Sequence, residues 1–192
     1  MKRGSLAITV TLPLAVVVLT PRTAEAFEHQ HQLGIDGGLT FISIDQTPSV
    51  SFGAGGGLHY SYGLSDAFDL LVEGAISGIA LQGLPMGTMP TNNRATVIEN
   101  LGVGIGYTLD VLRWVPYFGV LGSAFSLHGG TVDDVRFAGG VTVAAGIDYH
   151  LSGGPKHFAV GLAVRQHFLL SDLVNYPSYT QVFLRAEYVW GF

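Results

Sequence analysis

Three sets of residues combine types and spacings that could do chemistry. His59-Tyr60-Ser61 puts an imidazole two residues from a hydroxyl; on an extended strand the two share a face, where a base can activate a hydroxyl for acyl transfer. Glu28-His29-Gln30-His31 brings two imidazoles to one side of an extended segment, and Asp133-Asp134 pairs two carboxylates, each a partial set of divalent-cation ligands. Neither supplies enough ligands alone, so a solvated tail and a solvated acidic loop are expected, with no metal and no cofactor. The third set is scattered: Asp36, His59, Glu73, Asp148, Arg165, His167, Arg185 and Glu187 stand singly in segments that are otherwise apolar or small. What these groups can do depends on the elements that carry them and the face each occupies.

Composition narrows those elements. The chain has 192 residues, enough for one domain, with 27 glycines, 48% hydrophobic and only 12% charged residues. Such a glycine content disfavours helices and suits curved strands. No cysteine is present, which excludes a disulfide framework, a thiolate metal site and a lipidated cysteine. At the N-terminus Lys2 and Arg3 precede an apolar stretch from Leu6 to Leu19, and Ala24-Glu25-Ala26 supplies the small residues of a signal-peptidase site. A cleavable signal peptide over 1–26 is expected, leaving one domain over 27–192. The formal net charge is −5, without a basic stripe, so nucleic acid is not an expected partner.

Period-two alternation then recurs eight times, near 31–42, 50–63, 67–80, 94–108, 114–126, 137–150, 157–169 and 179–192. In the seventh segment Phe158, Val160, Leu162 and Val164 oppose His157, Ala159, Gly161, Ala163, Arg165 and His167; in the third, Phe68, Leu70, Val72 and Ile76 oppose Asp69, Glu73 and Ser77. The second face is mainly Gly, Ala, Ser and Thr. A soluble barrel would fill it with long polar side chains, whereas a narrow lumen needs small ones. The fifth segment is ambiguous, because Val115, Tyr117 and Leu121 on one face and Trp114, Phe118 and Val120 on the other are both apolar. Connections alternate between short turns and longer loops at 43–49, 81–93, 127–136 and 170–178. Aromatic residues collect at strand ends: Phe41, Tyr60, Tyr62, Tyr107, Trp114, Tyr149, Tyr179, Tyr188 and Trp190. In the loop at 81–93, Leu84, Pro85, Met86, Met89 and Pro90 form the most apolar exposed stretch, expected to fold over the barrel mouth.

The last segment is the most specific. Val182, Leu184, Ala186, Tyr188, Trp190 and Phe192 form one apolar stripe, with Gln181, Arg185 and Glu187 on the alternate face. A terminal Phe preceded by aromatics at two and four residues resembles the C-terminal strand of bacterial outer-membrane β-barrel proteins. In size and strand number the chain resembles their small eight-stranded members, typified by the OmpA transmembrane domain and OmpX, without a periplasmic domain after the last strand. The resemblance implies an all-β fold, an eight-stranded antiparallel up-and-down transmembrane β-barrel in the cell outer membrane with both termini periplasmic. It also implies that Tyr188, Trp190 and Phe192 form the C-terminal signal read by the barrel assembly machinery, with periplasmic chaperones as partners during biogenesis. Outer-membrane lipid and lipopolysaccharide are the partners expected afterwards.

Two consequences follow for the chemistry. Asp36, Glu73, Arg165, Arg185 and Glu187 are expected to form a charge network in the lumen, since buried charges need partners; closure of the first strand on the last suggests the pairs Asp36–Arg185 and Arg165–Glu187. Some small outer-membrane barrels are lipid A-modifying enzymes, and the deacylases among them use a His-x-Ser pair that faces lipid on a late strand. His59 and Ser61 fall on the second strand, facing inward, with flanking residues that do not match, so no enzymatic activity is expected. A structural or surface-interaction role with a largely sealed lumen is the favoured reading, ahead of a narrow channel or an OmpW-like hydrophobic path for small solutes.

Overall fold

Alternation of apolar and small or polar residues forces each strand to show two environments, and the chain satisfies both by curling into a wall. The protein, described here by a computed structural model, is defined over residues 28–43, 50–80, 95–109, 111, 113–130, 132–152, 156–170 and 178–191. The strands are β1 (His31–Ser43), β2 (Val50–Gly63), β3 (Phe68–Ile79), β4 (Val97–Thr108), β5 (Trp114–Gly129), β6 (Val132–His150), β7 (Lys156–Leu169) and β8 (Ser178–Trp190). Each pairs antiparallel with its neighbours in chain order, and β8 returns to β1 to close the barrel. Closure leaves no edge, so backbone polar groups of the wall bond within it, as a lipid environment demands. The expected signal peptide, Phe192 and the apolar loop at 81–93 lie outside the described residues.

The outward face is a band of exposed apolar side chains, including Leu33, Ile35 and Leu39 on β1, Leu101, Val103 and Ile105 on β4, and Leu162 and Val164 on β7. Aromatic rings bound it at both ends. At the end that carries the short turns, called the turn end below, Phe68 packs on Tyr107, Trp114 on Tyr149 and Phe158 on Tyr188. Phe41 and Phe52 pack edge to face at the opposite, loop end. Tyr179 does not join these girdles. It shares the parity of Gln181 and Arg185 on β8, so its ring points into the lumen and is buried.

Register settles the fifth strand. Val115, Leu121, Phe125 and Leu127 are buried inside, while Trp114, Phe118 and Val120 are exposed; both faces read as apolar because the lumen itself is apolar along this strand. The loop expected at 127–136 is mostly strand. Leu127 and Val132 continue the inward alternation as buried residues, and Gly129 and Gly130, both with positive φ, turn the chain tightly. Asp134 therefore stands exposed on β6 rather than in a long loop.

Candidate functional site

The lumen is built in layers. Nearest the turn end lies a charged tier centred on Asp36. The β1–β8 register sets Asp36 opposite Arg185, and the β1–β2 register sets it opposite Gly57, beside His59. Arg165 Nη2 donates to Asp36 Oδ2 at 2.7 Å, Arg185 Nε lies 3.5 Å from Asp36 Oδ1, and His59 Nδ1 lies 3.0 Å from the same oxygen. Outward from this hub, Arg165 Nε is 2.7 Å from Glu73 Oε2, and Arg185 reaches Glu187 at 2.5 Å and Asp148 at 3.4 Å. The second ring nitrogen of His59 meets Glu187 at 2.7 Å. Both guanidiniums also lie over rings, Arg185 on Tyr117 at 4.6 Å and Arg165 on Phe183 at 5.2 Å. Arg165 is only 1% exposed. Charges so deprived of water persist because each has at least one opposite partner, and Asp36 and Arg185 have three each.

Glycines make room for this tier. A Cβ on Gly34 would fall onto the His59 ring, and one on Gly161 would fall onto Asp148 Oδ1. The cavity left among His59, Glu73, Tyr117, Asp148 and the two arginines is about 30 Å³, room for a water or two.

Next toward the loop end lies a neutral hydrogen-bonded belt. Ser123 and Thr142 are 2.7 Å apart, Thr142 and His167 Nδ1 2.8 Å, and His167 Nε2 and Gln181 Oε1 2.8 Å. Gln181 Nε2 donates to Ser77 Oγ at 2.9 Å, and Ser77 meets Thr40 at 2.7 Å. Because Gln181 Oε1 can only accept, the His167 hydrogen sits on Nε2 and Nδ1 accepts from Thr142 in the neutral ring. The belt runs along the wall from β5 through β6 and β7 to β8, then crosses to Ser77 on β3, which also meets Thr40 on β1. Above it, Tyr179 stacks on His167 at 4.3 Å, and Phe125 meets both rings edge on. Ile42, Ile79, Ile98, Leu127 and Leu169 complete an apolar plug.

The structure thus brings Asp36, Glu73, Arg165, Arg185 and Glu187 into one cluster. Asp36 and Arg185 meet as the closing seam suggested, but Arg165 takes Asp36 and Glu73 instead of Glu187. The β7–β8 register pairs Arg165 with Gln181 and Glu187 with Ala159, roughly 20 Å apart along the strands. Tyr117 and the belt residues Thr40, Ser123 and Gln181 join the site without any charge or motif to mark them in the sequence. Inward parity combined with a hydroxyl or amide was the only signal they carried.

The other sequence candidates fall apart geometrically. His59 and Ser61 are both buried in the lumen, and both His59 nitrogens face carboxylates. His29 and His31 turn to different phenols, Tyr62 and Tyr60, at 2.8 Å each. Among the described residues no group of three or more His, Asp or Glu is arranged to hold a metal. At the turn-end mouth His150 and His157 lie 2.9 Å apart, and Thr108 bonds Asp69. Tyr188 and Trp190 stack on the outer face, and Trp190 lies on His31 across the seam.

A closed wall of eight antiparallel strands, apolar outside and polar within, defines the class of transmembrane β-barrels. The chain belongs to the outer membrane protein beta-barrel domain family, whose profile matches residues 10–189. Among solved structures it is similar to Neisserial surface protein A, with a TM-score of 0.59 and 14% identity over 84% of this chain and 97% of that one. The N-terminal barrel domain of Pseudomonas aeruginosa OprF gives 0.55 and 9% over 85% and 98%. The Yersinia pestis attachment invasion locus protein Ail gives 0.51 and 14% over 85% and 100%. At these identities the likeness shows the fold. No curated protein gives a significant sequence match.

Proposed function

We propose that the protein is a sealed outer-membrane barrel with a structural or surface-interaction role, anchored by its wall and presenting its loop end outside, with both termini and the short turns in the periplasm. The observation that carries this reading is the layered lumen. An ion-paired tier, a hydrogen-bonded belt and an apolar plug stand in series, with about 30 Å³ free among the charges. Ions or solutes would have to disrupt all three. The orientation follows from the asymmetry between short turns and longer loops. Outer-membrane lipid and lipopolysaccharide then surround the apolar band, and the stripe ending in Tyr188 and Trp190 is the segment offered to the assembly machinery. A lipid-modifying role is disfavoured by the burial of His59 and Ser61 inside the barrel.

Single-channel recording in planar bilayers tests the proposal, with a heat-modifiable gel shift to verify folding. A folded barrel without conductance is the expected result. Reproducible ion-selective steps that change on Arg185→Ala would replace the sealed reading with that of a narrow channel.

A further inference from the structure

At the turn end of the closing seam, outward residues of neighbouring strands stand in one row. His31 on β1 and Lys156 on β7 are both direct ladder partners of Trp190 on β8. Neighbouring strands lie about 4.8 Å apart, so the row is roughly 10 Å wide. One row deeper, Leu33, Tyr188 and Phe158 are 49%, 38% and 61% exposed and open the apolar band. The row with Lys156 therefore stands at the edge of that band, the level at which aromatic belts meet lipid headgroups.

The polar groups of this row are donors. The Lys156 ammonium and the Trp190 indole N–H can only donate, and among the described residues neither side chain has a hydrogen-bond or ion partner. His31 is held on both sides: its ring stacks on Trp190 at 5.3 Å, and its Nδ1 lies 2.8 Å from the Tyr60 hydroxyl. With that phenol donating to Nδ1, the hydrogen of the neutral ring sits on Nε2, which donates as well. Glu28, the carboxylate nearest in sequence to His31, lies 3.9 Å from His29 instead. A row of donors carrying positive charge suits an anion, and the anion a membrane offers at this depth is a lipid phosphate. A zwitterionic lipid would set its own ammonium beside that of Lys156, whereas an anionic one brings no second cation.

We propose that this row is a headgroup site for an anionic phospholipid of the periplasmic leaflet, whose phosphate pairs with Lys156 beside the indole and imidazole donors. The inference rests on the orientation proposed above, with the short turns in the periplasm, and is independent of whether the lumen conducts. Native mass spectrometry of the folded protein in detergent, incubated with equimolar phosphatidylglycerol and phosphatidylethanolamine, tests the site. Retention should favour phosphatidylglycerol about fivefold, the scale of one basic side chain against an anionic headgroup. Lys156→Gln should bring the ratio near one. Arg113→Gln, the same loss of charge at another exposed residue of the turn end, should leave it alone. Equal retention of the two lipids would overturn the site, and so would an equal fall on Arg113→Gln, which would assign the preference to diffuse charge. A separate measurement reads the orientation. Asp66→Cys, exposed in a short turn of a chain that has no cysteine, should react with a membrane-impermeant maleimide only after the outer membrane is permeabilised. Labelling of intact cells would place the row in the outer leaflet and overturn a phospholipid as its occupant, even with the preference in detergent intact.

Discussion

Asp36 on β1 and Arg185 on β8 sit opposite one another across the seam that closes the barrel, and their charged atoms meet inside it at 3.5 Å. The first and last strands are therefore joined by an ion pair as well as by the backbone ladder. Asp36 also receives Arg165 and His59, which makes it the carboxylate on which three basic side chains converge.

Replacing Asp36 with Asn leaves both guanidiniums short of a partner in a water-poor interior. The expected loss is about 3–5 kcal/mol of unfolding free energy, measured by urea titration in lipid vesicles. Because buried pairs are poorly screened, the deficit should stay nearly constant between about 0.1 M and 1 M NaCl. A deficit that shrinks steeply with salt would mean that the cluster is hydrated.

Gly161→Ala forces a methyl group onto Asp148 and onto the backbone oxygen of Ile147. Overpacking of this kind should cost about 1–3 kcal/mol. Gly37→Ala on the outer face is the comparison, since its Cβ would meet nothing within 4 Å, and it should stay within about 0.5 kcal/mol of the parent. Equal effects at the two positions would contradict the close approach at Gly161.

Gln181→Leu cuts the belt at its centre. His167 loses its acceptor and Ser77 its amide donor in a region without solvent, so a loss of about 1–3 kcal/mol is expected. Hydrogen exchange provides the local readout: amides of β7 and β8 beside His167 and Gln181 should lose protection first, and uniform loss along the barrel would argue against a discrete belt.

On the outer face of the seam, His31 stacks on Trp190 with ring centroids 5.3 Å apart. A double-mutant cycle of His31→Ala and Trp190→Leu should yield a coupling of about 0.5–1.5 kcal/mol. Additive effects would show that the stack contributes nothing to closure.

Much of this architecture is legible in the sequence because parity is a local property. The alternation that sets Arg185 and Glu187 apart from Leu184 and Tyr188 needs no knowledge of neighbouring strands, and the same parity puts Asp36 and Glu73 inside. Which inward residues meet is decided by stagger between strands, which is not local. Arg165 consequently found Glu73 and Asp36 rather than Glu187, and Tyr179, assigned to a girdle by its position near a strand end, turned inward to stack on His167. Asp133-Asp134 misled in another way. Paired acids signal a loop, yet Leu127 and Val132 kept the alternation running, and the turn contracted to the glycines at 129 and 130.

The belt from Ser123 through His167 to Gln181 lines the inside of the wall, and its last bonds, from Gln181 to Ser77 and from Ser77 to Thr40, act on the wall as a tie acts between two points of a rim. A hollow barrel can flatten into an ellipse when the surrounding bilayer squeezes it, because only backbone ladders resist. Here Gln181 on β8 and Thr40 on β1 both hold Ser77 on β3, at 2.9 and 2.7 Å, and flattening that parts these non-neighbouring strands must stretch those links. The cross-section is thereby braced from within along that chord, and lateral pressure in the membrane meets more than backbone ladders there.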